Sequence, residues 1–276
     1  MKIMKIFFLI FFIFFSTDLH LEAKQSGKNK NKGNSENSKD VQNNKSDSDS
    51  IKIKIDSVSE KPIFGFESPN AKFNVIGFVG GGGLKGGVGK SGNPLARDRK
   101  KIRDAGFNYY IFPNPKAKES ISLFYRKDQD HVQKISNLID YLNKKNNLPV
   151  ILLGHSRGSV SVAAAANKLG VQKIKGIVIM GSLTASSKAI TYTFTMKAML
   201  EKKIDVPVLV VHHEKDRCDV TPYIGAKDLA EKMNFKLIAI TGGGNTGDAC
   251  GPLHHHGFEE TMPEVIQAIK KWSEGL

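Results

Sequence analysis

Ser156 stands at the centre of Gly154-His155-Ser156-Arg157-Gly158, and the residues flanking this pentapeptide decide whether the serine can do chemistry. Pro149 to Leu153 is a short apolar run of the kind that forms a strand buried on both faces, and Ser159 to Leu169 is an alanine-rich helical run. Strand, G-x-S-x-G, helix is the setting in which the motif becomes a sharp turn that lifts the serine hydroxyl clear of the backbone. The glycines omit side chains where strand and helix crowd the turn. The N–H of Arg157, at the positive end of the new helix, would face a developing oxyanion. A serine hydroxyl is a poor nucleophile until a neutral imidazole takes its proton, and a carboxylate orients that imidazole. Both partners follow in the chain, in the order serine, acid, histidine: Asp216, then one of His254, His255 and His256.

Each of these residues has rivals. Asp216 is favoured because it lies in the turn directly after the apolar run Val206 to Val211, while Asp219 and Asp248 are alternative acids. His256 is favoured over His254 and His255 because Gly257 gives the backbone room for an abrupt turn. His212 and His213, at a strand end, are expected to brace the acid loop. As metal ligands they are poorly arranged, since adjacent histidines seldom converge on one ion and no H-E-x-x-H spacing occurs. No metal and no cofactor is expected.

The second motif is Gly80 to Ser91, with four consecutive glycines after the apolar run Phe73 to Val79. As a phosphate loop it fails by one residue: the Walker spacing needs glycine at Leu84, and the nearest is Gly83. As an oxyanion loop it fits, with the N–H groups of Gly81 and Gly82 as donors beside Arg157.

These side chains need a scaffold. Apolar strand-like runs at Phe73 to Val79, Phe107 to Phe112, Pro149 to Leu153, Gly176 to Gly181, Val206 to His213 and Phe235 to Ile240 alternate with helical patterns at Pro94 to Ala105, Asp130 to Lys145, Ser159 to Leu169, Tyr223 to Met233 and Pro263 to Trp272. Strands separated by helix-length crossovers predict an α/β fold with a mainly parallel sheet covered on both faces. Ser156, Asp216 and the histidine cluster all fall just past carboxyl ends of strands, where such sheets bind ligands. Ile51 to Ile55 alternates strictly and predicts an edge strand with its lysines outward. Ser182 to Leu200 is expected to form a loop and helix lining the site mouth. No interval is long enough for a large inserted lid domain.

Ahead of this domain, 51–276, lie two segments of different character. Lys2 and Lys5 precede the unbroken apolar run Ile6 to Phe15, and Leu21-Glu22-Ala23 offers a cleavage site; 1–23 therefore reads as a signal peptide. An uncleaved membrane anchor is the alternative, although the run falls short of the roughly 20 residues of a span. Residues 24–50 are nearly all Lys, Asn, Ser, Gly and Asp, and read as a disordered polar tether. The chain is thus expected to be exported, to a periplasm or the medium. Its net charge of +14 comes partly from these segments. No basic face studded with aromatics accompanies that charge, so nucleic acid is not an expected partner. Loose attraction of the tether to an anionic envelope surface is.

Gly154 to Gly158, Val210-Val-His-His-Glu-Lys-Asp-Arg-Cys218 and His256-Gly-Phe258 together resemble the α/β-hydrolase superfamily, and in particular its exported single-domain members. The resemblance spans about Phe73 to the C-terminus. It implies a serine hydrolase with Ser156 as nucleophile, Asp216 as acid and His256 as base, acting on a small-molecule or lipid-like acyl substrate. The departure is in the oxyanion loop, where many relatives carry His-Gly and this chain has Val79 followed by four glycines. Two other readings stand beside it: a catalytically idle hydrolase-fold binding protein of the envelope, and a nucleotide-binding protein using the glycine loop.

Cys218 and Cys250 are the only cysteines. Cys218 lies two residues after Asp216, and Cys250 lies in the loop carrying the histidines. If acid and base meet, their loops are neighbours, and in an oxidising compartment the two cysteines are expected to pair.

Overall fold

A computed structural model describes residues 50–116, 119–188, 190–200 and 204–276. The leader, and the tether except its last residue, lie outside the described residues.

Eight strands form one sheet: β1 (Ile51–Ile53), β2 (Ile63–Phe66), β3 (Asn74–Phe78), β4 (Asn108–Ile111), β5 (Val150–His155), β6 (Gly176–Met180), β7 (Val208–His213) and β8 (Lys236–Ile240). Their spatial order is β1-β2-β4-β3-β5-β6-β7-β8. All neighbours from β4 to β8 are parallel, whereas β1–β2 and β2–β4 are antiparallel. The helices are α1 (Pro94–Arg97), α2 (Arg99–Asp104), α3 (Leu123–Arg126), α4 (Gln129–Asn146), α5 (Gly158–Leu169), α6 (Met196–Met199), α7 (Tyr223–Met233) and α8 (Met262–Ser273).

Alternation along the strands divides the core into two layers, because successive side chains leave opposite faces of a strand. Ile76, Phe78, Leu152, Ile177, Ile179 and Val210 point to one face and meet α4, α5 and α7. Val75, Ile151, Leu153, Val178, Leu209 and Val211 point to the other and meet α2 and α8. The central strands are buried on both faces, which is why they read as continuous apolar runs.

Three local features differ from the expectation. The expected helix from Pro94 to Ala105 breaks at Asp98 (φ −97°, ψ 18°). Just before the break, the Arg97 side chain donates to Asp98 at 2.8 Å, Pro252 O at 3.0 Å and Gly257 O at 3.1 Å. Strand β2 is an addition: four residues after Pro62, interrupted by Gly65, give too little periodicity to read. Gly65 is required there, since a Cβ would sit 2.8 Å from the Tyr110 ring. Helix α3 is a single turn made visible only by its Ser122 cap.

Candidate active site

Strand β5 ends in the turn that carries Ser156, and the turn is strained. Ser156 has φ +54°, a left-handed value that non-glycine residues seldom adopt. The strain is held from three sides. Ser156 N–H donates to Met180 O at 3.0 Å, and Ser156 O accepts from Ser159 N–H at 3.0 Å and from the Ser159 hydroxyl at 2.6 Å. Both motif glycines are there for close approach. A Cβ on Gly158 would lie 1.9 Å from Phe78 O, and one on Gly154 would lie 2.8 Å from Gly158 O. Gly158→Ala is therefore expected to cost 3 kcal/mol or more, on the order of the largest single-residue effects, by forcing α5 off the sheet. A denaturant midpoint within experimental error of the parent would contradict this.

The glycine loop after β3 lies against the same turn. A Cβ on Gly80 would lie 2.8 Å from Ser156 Cβ, so this glycine is what lets the loop reach the serine. Gly81 (φ +54°) and Gly82 line the cavity beside Ser156. Among the described residues the N–H groups of Gly81, Gly82 and Arg157 meet no protein acceptor. Gly81 and Gly82 line the cavity and Arg157 directly follows Ser156, so these unengaged donors suit an oxyanion.

One side chain that sequence reasoning missed holds this loop. Arg126, from α3, is fully buried and has no carboxylate partner among the described residues. Its guanidinium donates to Val79 O at 3.0 Å, Gly81 O at 3.3 Å and Ser161 Oγ at 3.1 Å. Burial, and then the nearby Arg157, push its pKa down to about 9. Nothing in the local sequence signals this role, because the tie spans more than forty residues. Arg126→Met should leave two loop carbonyls without their donor, costing roughly 1–3 kcal/mol of stability. A thermal melt reads that cost directly, and an unchanged midpoint would count against the tie.

The loops carrying Asp216 and His256 follow β7 and β8. His256 Nδ1 donates to Asp216 Oδ2 at 2.9 Å, and Thr221 Oγ1 donates to the same oxygen at 2.9 Å. Cys218 N–H donates to Asp216 Oδ1 at 2.9 Å, and His212 Nε2 lies 3.4 Å from Oδ2. Burial alone would raise the Asp216 carboxyl. Hydrogen bonds from His212 and His256, attraction to His256 and the Cys218 N–H outweigh it, holding the group well below the usual carboxylate range. With Nδ1–H directed at Asp216, His256 Nε2 carries the lone pair. His256 and Ser156 line one cavity of about 310 Å³. Among the described residues neither Ser156 Oγ nor His256 Nε2 makes a hydrogen bond.

The rival residues have other partners. His255, half-buried, donates to Lys215 O at 3.0 Å, and His254 is a left-handed turn residue (φ +63°). Asp248 caps its own loop through Cys250 N–H at 2.8 Å, and Asp219 makes no hydrogen bond to a histidine among the described residues. His213 accepts from Lys215 N–H and donates to Gly242 O at 2.9 Å, tying the loop after β7 to the one after β8. His212 donates to Thr221 O at 2.7 Å. Their donor nitrogens thus point at backbone rather than at a common ion. The described residues of the Ser182–Leu200 segment, expected at the site mouth, do not contribute to the cavity lining; the glycine loop and the Cys250–Pro252 turn do so instead.

Cys218 and Cys250 are bridged, with Cα atoms 4.6 Å apart. The bond joins the loop carrying Asp216 to the loop carrying His256, and Arg97 also holds the latter through Pro252 O and Gly257 O.

His155 completes the site's support. It donates from Nε2 to His256 O at 2.8 Å and accepts at Nδ1 from the Asn93 amide at 3.0 Å, so both nitrogens are satisfied only while the ring is neutral. Burial, and then His256, push its pKa down from 6.5 to about 3. His131 is likewise pushed down to about 3, by burial first and Arg126 second. The unfolded chain takes up these protons first. Stability should therefore be full above about pH 6.5 and fall continuously toward pH 3. Urea midpoints at pH 7.5, 6 and 5 should decline in that order, and His131→Gln should flatten the decline. A midpoint constant from pH 7 to 4.5 would refute this.

No family model matches the chain, and no curated protein matches it. Solved structures do. The chain is similar to an α/β serine hydrolase without a lid from Xanthomonas campestris (12% identity, 82% of this chain and 95% of that one covered, TM-score 0.56). It is also similar to the monoacylglycerol lipase of Paleococcus ferrophilus (18% identity, 76% and 96% covered, TM-score 0.52). A soluble variant of the Saccharomyces cerevisiae monoglyceride lipase, solved with a substrate analogue, gives 12% identity, 78% and 90% coverage and a TM-score of 0.57. The chain has the α/β-hydrolase fold.

Proposed function

We propose that this chain is an exported serine hydrolase that cleaves an ester or related acyl bond. The observation that carries the reading is the strained Ser156 turn sharing one cavity with His256, whose other ring nitrogen donates to buried Asp216. A bracing histidine would not need a serine at φ +54° beside it, since backbone strain of that kind persists where it serves a site.

In this reading His256 Nε2 takes the Ser156 hydroxyl proton as Oγ attacks the acyl carbon. The carbonyl oxygen gains charge and is met by the N–H groups of Arg157, Gly81 and Gly82. Asp216 stays ionised and stabilises the imidazolium. The imidazolium then protonates the leaving oxygen, and water, activated by the same histidine, releases the acyl group from Ser156. Export is supported by the disulfide, which persists in oxidising compartments, and by the pattern of 1–23. Among the described residues no helix is long and apolar enough to cross a membrane.

A fluorophosphonate probe tests the reading. One equivalent should attach, at Ser156, and Ser156→Ala should take up none. Labelling elsewhere, or no labelling of folded wild type, would favour the idle binding protein.

A further inference from the structure

The cavity around Ser156 has an unusual lining for an acyl-chain site. Its apolar side chains are Pro252 and the bridged Cys250; the remainder is glycine, serine, asparagine, histidine and lysine. Hydrocarbon chains need apolar walls, because the gain on burial scales with apolar area removed from water. The charged residues among the lining are Lys85 and Lys90, with no carboxylate.

The same two lysines, with Gly86 between them, also wall a second hollow of about 540 Å³. Lys52, Lys61 and Lys116 border it as well, again with no carboxylate among its lining residues, and Phe64 and Leu84 provide an apolar surface. Among the described residues Lys52, Lys61, Lys85 and Lys90 make no ion pair, and Lys116 reaches only Glu119, at 3.8 Å. Against the glycine loop, Arg126 adds a buried cation without a carboxylate partner among the described residues. Five lysines around one hollow repel one another, and a cleft lined by one sign of charge concentrates counter-ions of the other. Elsewhere on the domain lysines do find acids, as in Lys173–Asp140 and Lys101–Asp98.

We infer that the substrate is an anionic ester, one bearing a carboxylate or phosphate group that lies between Lys85 and Lys90 and extends toward Lys52 and Lys61 while its acyl carbon faces Ser156. The inference rests on the serine-hydrolase reading for the bond cleaved, but the anion site can be measured without it.

Matched esters test it. 4-Acetoxybenzoate and 4-acetoxyphenyl phosphate carry the charge on the alcohol side, with methyl 4-acetoxybenzoate as the neutral reference. The mono-4-nitrophenyl ester of adipate and 4-nitrophenyl hexanoate form the acyl-side pair. Each kcat/KM is divided by the rate of the same ester with hydroxide. At low salt at least one anionic ester should exceed its neutral partner tenfold or more, and 0.5 M NaCl should shrink the ratio by screening. The carboxylate and phosphate arms identify which anion is taken. Lys85→Ala/Lys90→Ala should bring the ratio down toward one whatever happens to absolute rates, and Lys85→Arg should retain it. Turnover with no preference for the anionic esters would overturn the inference while leaving the serine reading intact. If Ser156 is not labelled and no ester is cleaved, calorimetric titration with tripolyphosphate decides the anion site. Binding that disappears in Lys85→Ala/Lys90→Ala supports it, and no binding, or binding unchanged by the substitutions, overturns it.

Discussion

Ser156→Ala should lose on the order of 10⁴–10⁶-fold in kcat on any ester the wild type cleaves, with KM little changed. His256→Ala should be about as severe, and the double variant no worse than either alone, because the two would act as a unit. Asp216→Asn is expected to fall by about 10⁴. The reason lies in the hydrogen bonds: a carboxamide cannot replace the carboxylate that accepts from His256, Thr221 and the Cys218 N–H together. Asp216→Asn should also unfold earlier, and its circular dichroism must match the wild type before the rate is read. His254→Ala and His255→Ala should stay within about tenfold, since His255 faces Lys215 O. A Ser156→Ala protein with near wild-type turnover would remove the nucleophile from this serine. A loss larger at His254 than at His256 would move the base.

Opening the Cys218–Cys250 bond should be the largest single loss of stability outside the core. It closes a loop of 32 residues, and cross-linking that much unfolded chain is worth roughly 3–4 kcal/mol. For a domain of this size that is about 10 °C in Tm. The consequence is also local. Cys218 N–H is one of the donors that hold Asp216, and Cys250 lies in the loop that carries His256. Cys218→Ser/Cys250→Ser should therefore lose activity below its new Tm, through looser registration of acid against base. Activity that tracks the folded fraction alone would show that the bridge serves stability only. Alkylatable thiols at both positions in protein from an oxidising compartment would overturn the pairing.

Much of the architecture was legible because it depends on local pattern. The runs Val150–His155 and Val208–His213 are strands buried on both faces, so each reads as unbroken apolar sequence and its end can be placed within a residue or two. The turn after β5 was legible for a similar reason: glycine at two fixed offsets from Ser156 has few explanations besides close approach, which Phe78 O and Gly158 O now supply. Strand β2 and helix α3 were not legible, because four residues carry too little periodicity and their stability comes from neighbours far along the chain.

For the site, chain order and residue type narrowed the acid to Asp216, Asp219 or Asp248 and the base to three adjacent histidines. Position after a strand favoured Asp216 and the neighbouring Gly257 favoured His256, but sequence alone could not exclude the rivals, because neighbouring residues in a loop point in different directions and only the folded backbone fixes which. The tertiary structure directs His256 at Asp216, turns His255 toward Lys215 and leaves Asp219 and Asp248 without a histidine among the described residues. It also supplies what no pattern encodes. Arg126 holds the glycine loop across more than forty residues, Arg97 at the end of α1 holds a loop more than 150 residues away, and lysines from four separate segments come to surround one hollow. Such ties depend on positions distant in sequence and adjacent in space, and their energy exists only once the chain is folded.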